Sequence, residues 1–162
     1  MKPVRITPIL VAAAFCAATS QPSGARPQTN SNPLAGTWNA NLSKSKRDPN
    51  HQFQSAALHI EVSGDTVLLN YSGVNMSGQQ ESGTTKLNPD GKEYPVPEVT
   101  GFVQVARWVD SNTLEMTAKK DGKVVGQAVY QVSPDRKTLT ARLKGIDASG
   151  GEFEQVIVFD RQ

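Results

Sequence analysis

The chain has 162 residues, 37% of them hydrophobic, with a formal net charge of +2 and a single cysteine. No apolar run reaches membrane-spanning length, and one thiol excludes a disulfide framework. The basicity is local: without Lys2 and Arg5, 15 Lys and Arg (17 less 2) face 15 Asp and Glu, so charge gives no argument for nucleic acid.

Lys2 and Arg5 precede an apolar run, Ile9 to Ala18, of about ten residues, and Ala18-Thr19-Ser20 supplies the small residues that a signal peptidase reads. The expectation is a signal peptide over residues 1–20, cleaved before Gln21, and hence a periplasmic or secreted protein. Cys16 would begin a lipoprotein only behind a small residue, and Phe15 stands there, so lipidation is not expected. The mature chain then has no cysteine and depends on a core and backbone pairing for stability. Residues 21–32, "QPSGARPQTNSN", lack apolar periodicity and read as a flexible linker. Residues 33–162, about 130 in number, are enough for one domain with a core of its own.

From Leu34 onward the segments are short, alternate with period two and end at turn residues, which predicts antiparallel β-structure. "AALHIEV" puts Ala56, Leu58, Ile60 and Val62 on one face and His59 and Glu61 on the other; Ser63 to Asp65 turns the chain into "TVLLNY". "NPDG" (Asn88 to Gly91), "VDSN" (Val109 to Asn112), "KKDG" (Lys119 to Gly122) and "SPDR" (Ser133 to Arg136) are further tight turns. Between them lie the strands "TLEMTAK", "VVGQAVYQV", "KTLTARLK" and "EFEQVIVFD". Short links join antiparallel neighbours, because a parallel crossover needs about a dozen residues or more. The predicted fold class is all-β: one up-and-down meander barrel of about eight to ten strands, closed so that no edge remains, with a two-sheet sandwich as the alternative.

A weak internal repeat accompanies the meander. In "SGVNMSGQQE" (Ser72 to Glu81) and "KGIDASGGEFE" (Lys144 to Glu154), Gly73, Val74, Asn75, Ser77 and Gly78 match Gly145, Ile146, Asp147, Ser149 and Gly150. The offset preserves strand parity, so Val67, Leu69 and Tyr71 correspond to Leu139, Ala141 and Leu143, and all six are expected to face inward. Convergence of similar hairpins explains the match equally well.

Gly36-Thr37-Trp38 at the start of the first strand, followed by this meander, resembles the calycin superfamily of lipocalins, fatty-acid-binding proteins and avidins. The resemblance to fatty-acid-binding proteins spans most of the domain, including the "NPDGKEY" and "KKDGKVV" turns and the terminal "VIVFDRQ". The chain is also similar to the lipocalin-like domains of many bacterial exported proteins. The resemblance implies that Trp38 plugs one barrel end as a structural residue, that Arg161 packs across it, and that Ala40 and Leu42 share its inward face.

The departures from that pattern are informative. Fatty-acid-binding proteins place two helices between the first two strands; here Ser43 to Gln52, "SKSKRDPNHQ", leaves room only for a loop. Their carboxylate-clamping Arg, two residues before an aromatic on the last strand, falls on Ile157, so that clamp is not carried over. The lipocalin C-terminal helix is missing. An avidin-like site needs several Trp residues, and only Trp38 and Trp108 exist; nitrobindin-like haem binding needs a late His, and none follows His59.

Catalytic and metal chemistry have little to stand on. His51 falls in a loop and His59 on a polar strand face, whereas zinc needs three or four ligands. No GxSxG elbow exists, and the serines concentrate in turns. Glu81, Glu93, Glu98, Glu115 and Glu154 alternate with apolar residues as solvated faces do, and nothing singles out an acid–base pair. Lys44 to Arg47, "KSKR", is a basic loop beside the mouth that either steers an anion or is simply solvated. In "FVQVARWV", Val103, Val105, Arg107 and Val109 share one face and Phe102, Gln104, Ala106 and Trp108 the other; both are largely apolar, so Arg107 is either a lumen cation for a ligand or a surface residue. "SGQQESGTTK" is polar on both faces, which fits a wet cavity or an open rim better than a filled core.

The sequence therefore points to an exported, monomeric, non-enzymatic barrel that holds a small hydrophobic or amphipathic molecule. No cofactor, metal or catalytic residue is expected, and membrane contact only through the signal peptide. The expected ligand-lining residues are Leu58, Ile60, Leu69, Tyr71, Arg107, Met116, Ala128, Tyr130 and Leu143, with the tyrosine hydroxyls orienting a polar group. Gly36, Trp38 and Arg161 form the barrel end. The alternative is a filled barrel whose rim loops bind a protein, as an envelope protease inhibitor or assembly factor does.

Overall fold

The structure, a computed structural model, describes residues 32–97 and 99–162. The expected signal peptide with Cys16, the linker up to residue 31, and Glu98 lie outside the described residues.

Ten strands follow in chain order: β1 (Gly36–Ala40), β2 (Phe53–Ser63), β3 (Thr66–Asn75), β4 (Gln80–Leu87), β5 (Asp90–Pro95), β6 (Phe102–Asp110), β7 (Thr113–Lys120), β8 (Lys123–Val132), β9 (Thr138–Ile146) and β10 (Glu152–Arg161). All pair antiparallel in one sheet, ordered β4-β3-β2-β1-β10-β9-β8-β7-β6-β5. Every link between neighbours is a hairpin, as the turn residues predict, except at two places. Residues 41–52 separate β1 from β2, and β1 pairs with β10 to bring the two ends of the chain together.

The expectation of an edgeless barrel needs correction. β4 and β5 are consecutive but do not pair, so each is an edge of the curled sheet. Their link, Asn88-Pro89, includes a residue with no N–H to donate, and turn chemistry alone does not make the flanking strands pair. Across the gap, Gln104 of β6 donates its side-chain amide to the Lys86 carbonyl of β4 at 2.7 Å. The strand that reads as polar on both faces is thus an edge strand.

Side-chain alternation builds the core. The two triplets related by the repeat, Val67, Leu69, Tyr71 and Leu139, Ala141, Leu143, all belong to the core or pack against it. On β6 it is Ala106 and Trp108 that face inward, which turns Val103, Val105 and Arg107 outward.

The barrel end forms around β1. Trp38 is fully buried, and its indole N–H donates to the Leu34 carbonyl at 2.9 Å. Arg161, its register partner on β10, lies with its guanidinium carbon 3.9 Å from the Trp38 ring centroid. Gly36 makes the approach possible: its φ is +135°, and a Cβ there would stand 2.6 Å from the Arg161 guanidinium. Ala40 packs against the core as expected, but Leu42 does not share that face, because β1 ends at Ala40 and Leu42 lies in a turn.

Candidate functional site

Pairing register divides the lumen. Around Trp38, Ile60, Val67, Leu87, Leu114 and Leu139, all buried to within 1% exposure, side chains fill the space. From Leu58, Tyr130 and Ala141 toward the opposite end the same inward faces enclose a cavity of about 560 Å³, within the size range of small-molecule sites. Its floor and walls are apolar: Ala56 and Leu58 from β2, Ala141 and Leu143 from β9, and Ile157 and Phe159 from β10. Small side chains at residues 56 and 141 leave the room.

The mouth is polar. β4, the edge strand, contributes Gln80, Glu81 and Ser82, and the preceding turn contributes Asn75. Asn75 donates to Glu81 Oε1 at 2.8 Å and so fixes the carboxylate. The opposite side is the loop that stands where a helical lid was not expected to fit. Its first part runs beside β10, with Asn41 N–H on the Val158 carbonyl and Lys46 exchanging two hydrogen bonds with Val156. Its last part, Asp48 to Gln52, closes into a turn that places Asn50, His51 and Gln52 on the cavity.

His51 holds that turn in place. Its Nδ1 lies 2.9 Å from Asp48 Oδ1, its Nε2 lies 3.9 Å from Asp147 Oδ2, and its ring packs on Phe153 at 4.6 Å between centroids. Two of the three basic side chains of the cluster are likewise committed. Lys44 pairs with Asp160 at 3.1 Å, and Arg47 donates to the Phe53 carbonyl at 2.8 Å with its guanidinium over the Phe53 ring.

Two tyrosines line the cavity, and both are held neutral. Burial pushes the Tyr130 hydroxyl up to about 12. Burial, and then the neighbouring Glu81, raise Tyr71. Neither serves as a base near neutrality; each can only donate or accept a hydrogen bond. Gly73 keeps the Tyr71 hydroxyl where it is, because a Cβ there would stand 2.8 Å from that oxygen.

Gln155 is the residue that sequence reasoning passes over. It lies on the inward face of β10 between Phe153 and Ile157, lines the cavity and is 8% exposed. Its Oε1 is buried without a hydrogen-bond partner, one of two such atoms among the described residues. The signal was present in "EFEQVIVFD": parity with Phe159 and Ile157 carries Gln155 to the same face.

Of the expected lining residues, Leu58, Tyr71, Tyr130 and Leu143 lie on the cavity. Ile60, Leu69, Met116 and Ala128 point inward but pack in the core outside the cavity lining. Arg107 is corrected to the outer face. Its side chain is 65% exposed and pairs with Glu115 across the β6–β7 ladder at 2.7 Å. The remaining carboxylates do not converge: Glu93 pairs with Lys119 on the surface and Glu154 is exposed. His59 is exposed between Thr37 and Glu61. Among the described residues no three His, Cys, Asp or Glu gather as a metal site, and no helix is long and apolar enough to cross a membrane.

No family model matches the chain, and no curated protein matches it. Solved structures do. The fluorescent protein UnaG, as wild type and as a point mutant, superposes at TM-score 0.52 with 18% identity, covering 80% of this chain and 96–97% of that one. A looser match at TM-score 0.48 and 12% identity is the zebrafish ileal bile-acid-binding protein complexed with cholic acid, over 80% of this chain and 99% of that one. At such identities the likeness is one of fold: the chain, ten antiparallel strands in a single curled meander, shares the overall fold of UnaG.

Proposed function

We propose that the protein is a non-enzymatic binding protein that holds a small, mostly apolar molecule in the cavity between β2–β4 and β8–β10. The observation that carries this reading is the cavity itself: about 560 Å³, floored by core side chains and rimmed by polar ones, the usual plan of a site that desolvates an apolar body and orients a polar end. The filled-barrel interaction module requires a lumen without that space. Export through a leader over residues 1–20 belongs to the same proposal, and N-terminal sequencing of the mature protein tests it.

Titration with the neutral apolar dye N-phenyl-1-naphthylamine, together with native mass spectrometry of protein purified without denaturation, tests the binding function. Saturable one-to-one fluorescence enhancement, or a co-purified small molecule, is expected. No dye binding and no bound mass would sink the reading.

A further inference from the structure

We propose that the cavity selects an amphiphile whose polar end donates hydrogen bonds, an amine or alcohol rather than a carboxylate; this rests on the reading of the cavity as a ligand site. Two independent observations carry it.

The first is the orphaned acceptor. Gln155 lines the cavity and its Oε1 is buried and unpartnered, and its inward neighbours on the same strand, Phe153 and Ile157, carry hydrocarbon side chains with no donor. A buried amide oxygen without a partner is costly, and a donor brought by a ligand recovers that cost.

The second is the sign of the charge. Glu81 is the only Asp, Glu, Lys or Arg on the cavity among the described residues, and Asn75 holds it there. Lys44 of the neighbouring loop pairs with Asp160, and Lys46 is exposed and outside the cavity lining. Arg47 is engaged by the Phe53 carbonyl and ring, and any positive charge on His51 faces the carboxylates of Asp48 and Asp147. A carboxylate entering this space would lose its hydration, meet no Lys or Arg on the cavity wall and sit beside Glu81. An ammonium would meet two acceptors, Glu81 and Gln155, and a hydroxyl would satisfy the second.

Displacement of N-phenyl-1-naphthylamine by four ligands of one chain length tests this: dodecylamine, dodecanol, methyl dodecanoate and dodecanoate. The expected order of affinity is amine, alcohol, ester, carboxylate, with the amine roughly tenfold or more ahead of the carboxylate. Gln155→Leu should weaken alcohol and amine while leaving the ester unchanged, with a thermal midpoint no lower than wild type, since it removes an unpaired group. Glu81→Gln should erase the advantage of amine over alcohol. Dye binding with dodecanoate as tight as dodecylamine, or with the ester tighter than the alcohol, overturns the donor proposal and leaves the binding function standing. A wild-type protein that binds no dye overturns both.

Discussion

Arg161 does several jobs at the closed end of the barrel. Besides stacking on Trp38, its guanidinium donates to the carbonyls of Pro33 at 2.6 Å, Ala35 at 2.9 Å and Arg136 at 2.6 Å. These carbonyls belong to the segment leading into β1 and to the β8–β9 turn, so one side chain ties the start of the domain to its last hairpins. A lysine has no planar fork with which to reach all three. Arg161→Lys is therefore expected to cost roughly 1–3 kcal/mol. Arg107→Lys, at an exposed pair with Glu115, should stay within about 0.5 kcal/mol. Urea denaturation of both variants decides the matter; equal costs would refute the bracing role. This end of the molecule was legible because a Gly-x-Trp at one terminus and a basic residue at the other carry their own geometry. Arg107 was not legible, since both faces of β6 are largely apolar and only Ala106 and Trp108 packing inward breaks the tie. Gln155 was legible by parity, but its lack of a partner is a three-dimensional fact.

The repeat is realised at the scale of elements as one turn built twice at the open end. In Asn75–Gln79 the Asn75 oxygen accepts the N–H groups of Ser77 and Gln79, each at 3.0 Å. In Asp147–Gly151 the Asp147 oxygen accepts those of Ser149 at 2.8 Å and Gly151 at 2.9 Å. Gly78 and Gly150 take the left-handed position in each. The sequence match therefore records shared hydrogen bonding, whatever its origin. The two turns differ in charge, and this has a consequence for pH. Asp147 is held below the ordinary 3.8 by the Ser149 hydroxyl and then by the Gly151 N–H. Asp48 is held below it by His51 and then by the Asn50 N–H. A carboxylate with a depressed folded pKa binds fewer protons folded than unfolded. Its stabilisation is thus complete above 3.8 and fades as pH falls through the depressed value. Asn75 supports the same turn without a charge, so Asp147→Asn should keep the fold while losing less stability than wild type between pH 6 and pH 3. Denaturant midpoints at the two pH values measure the difference. A loss in the variant equal to that of wild type would show that Asp147 titration contributes nothing.

At the scale of the molecule, one barrel is packed at one end and hollow at the other, and alternation cannot show this. Parity tells which side chains point inward; it does not tell how far apart the facing walls stand. Ile60, Leu69, Met116 and Ala128 have the same pattern as Leu58, Tyr71, Tyr130 and Leu143, yet only the second set borders the space. The unpaired β4 and β5 edges were equally hidden, because "NPDG" has the residues of a tight turn whether or not its flanks pair. Two alanines measure the division between packed and hollow. Ala141 is 1% exposed and lies on the cavity, whereas Ala128 is 2% exposed and does not line it. In a close-packed region a large side chain forces neighbours off their rotamers, at about 1–3 kcal/mol. Ala128→Phe should carry that cost. Ala141→Phe instead has space to enter, buries new apolar surface, and should leave stability unchanged or raise it. The same phenyl ring occupies the volume a ligand needs, so dye affinity should fall roughly tenfold or more. Thermal denaturation and dye titration of the pair give a joint readout. If both variants are destabilised alike and Ala141→Phe still binds dye as wild type does, the hollow end is not the binding site.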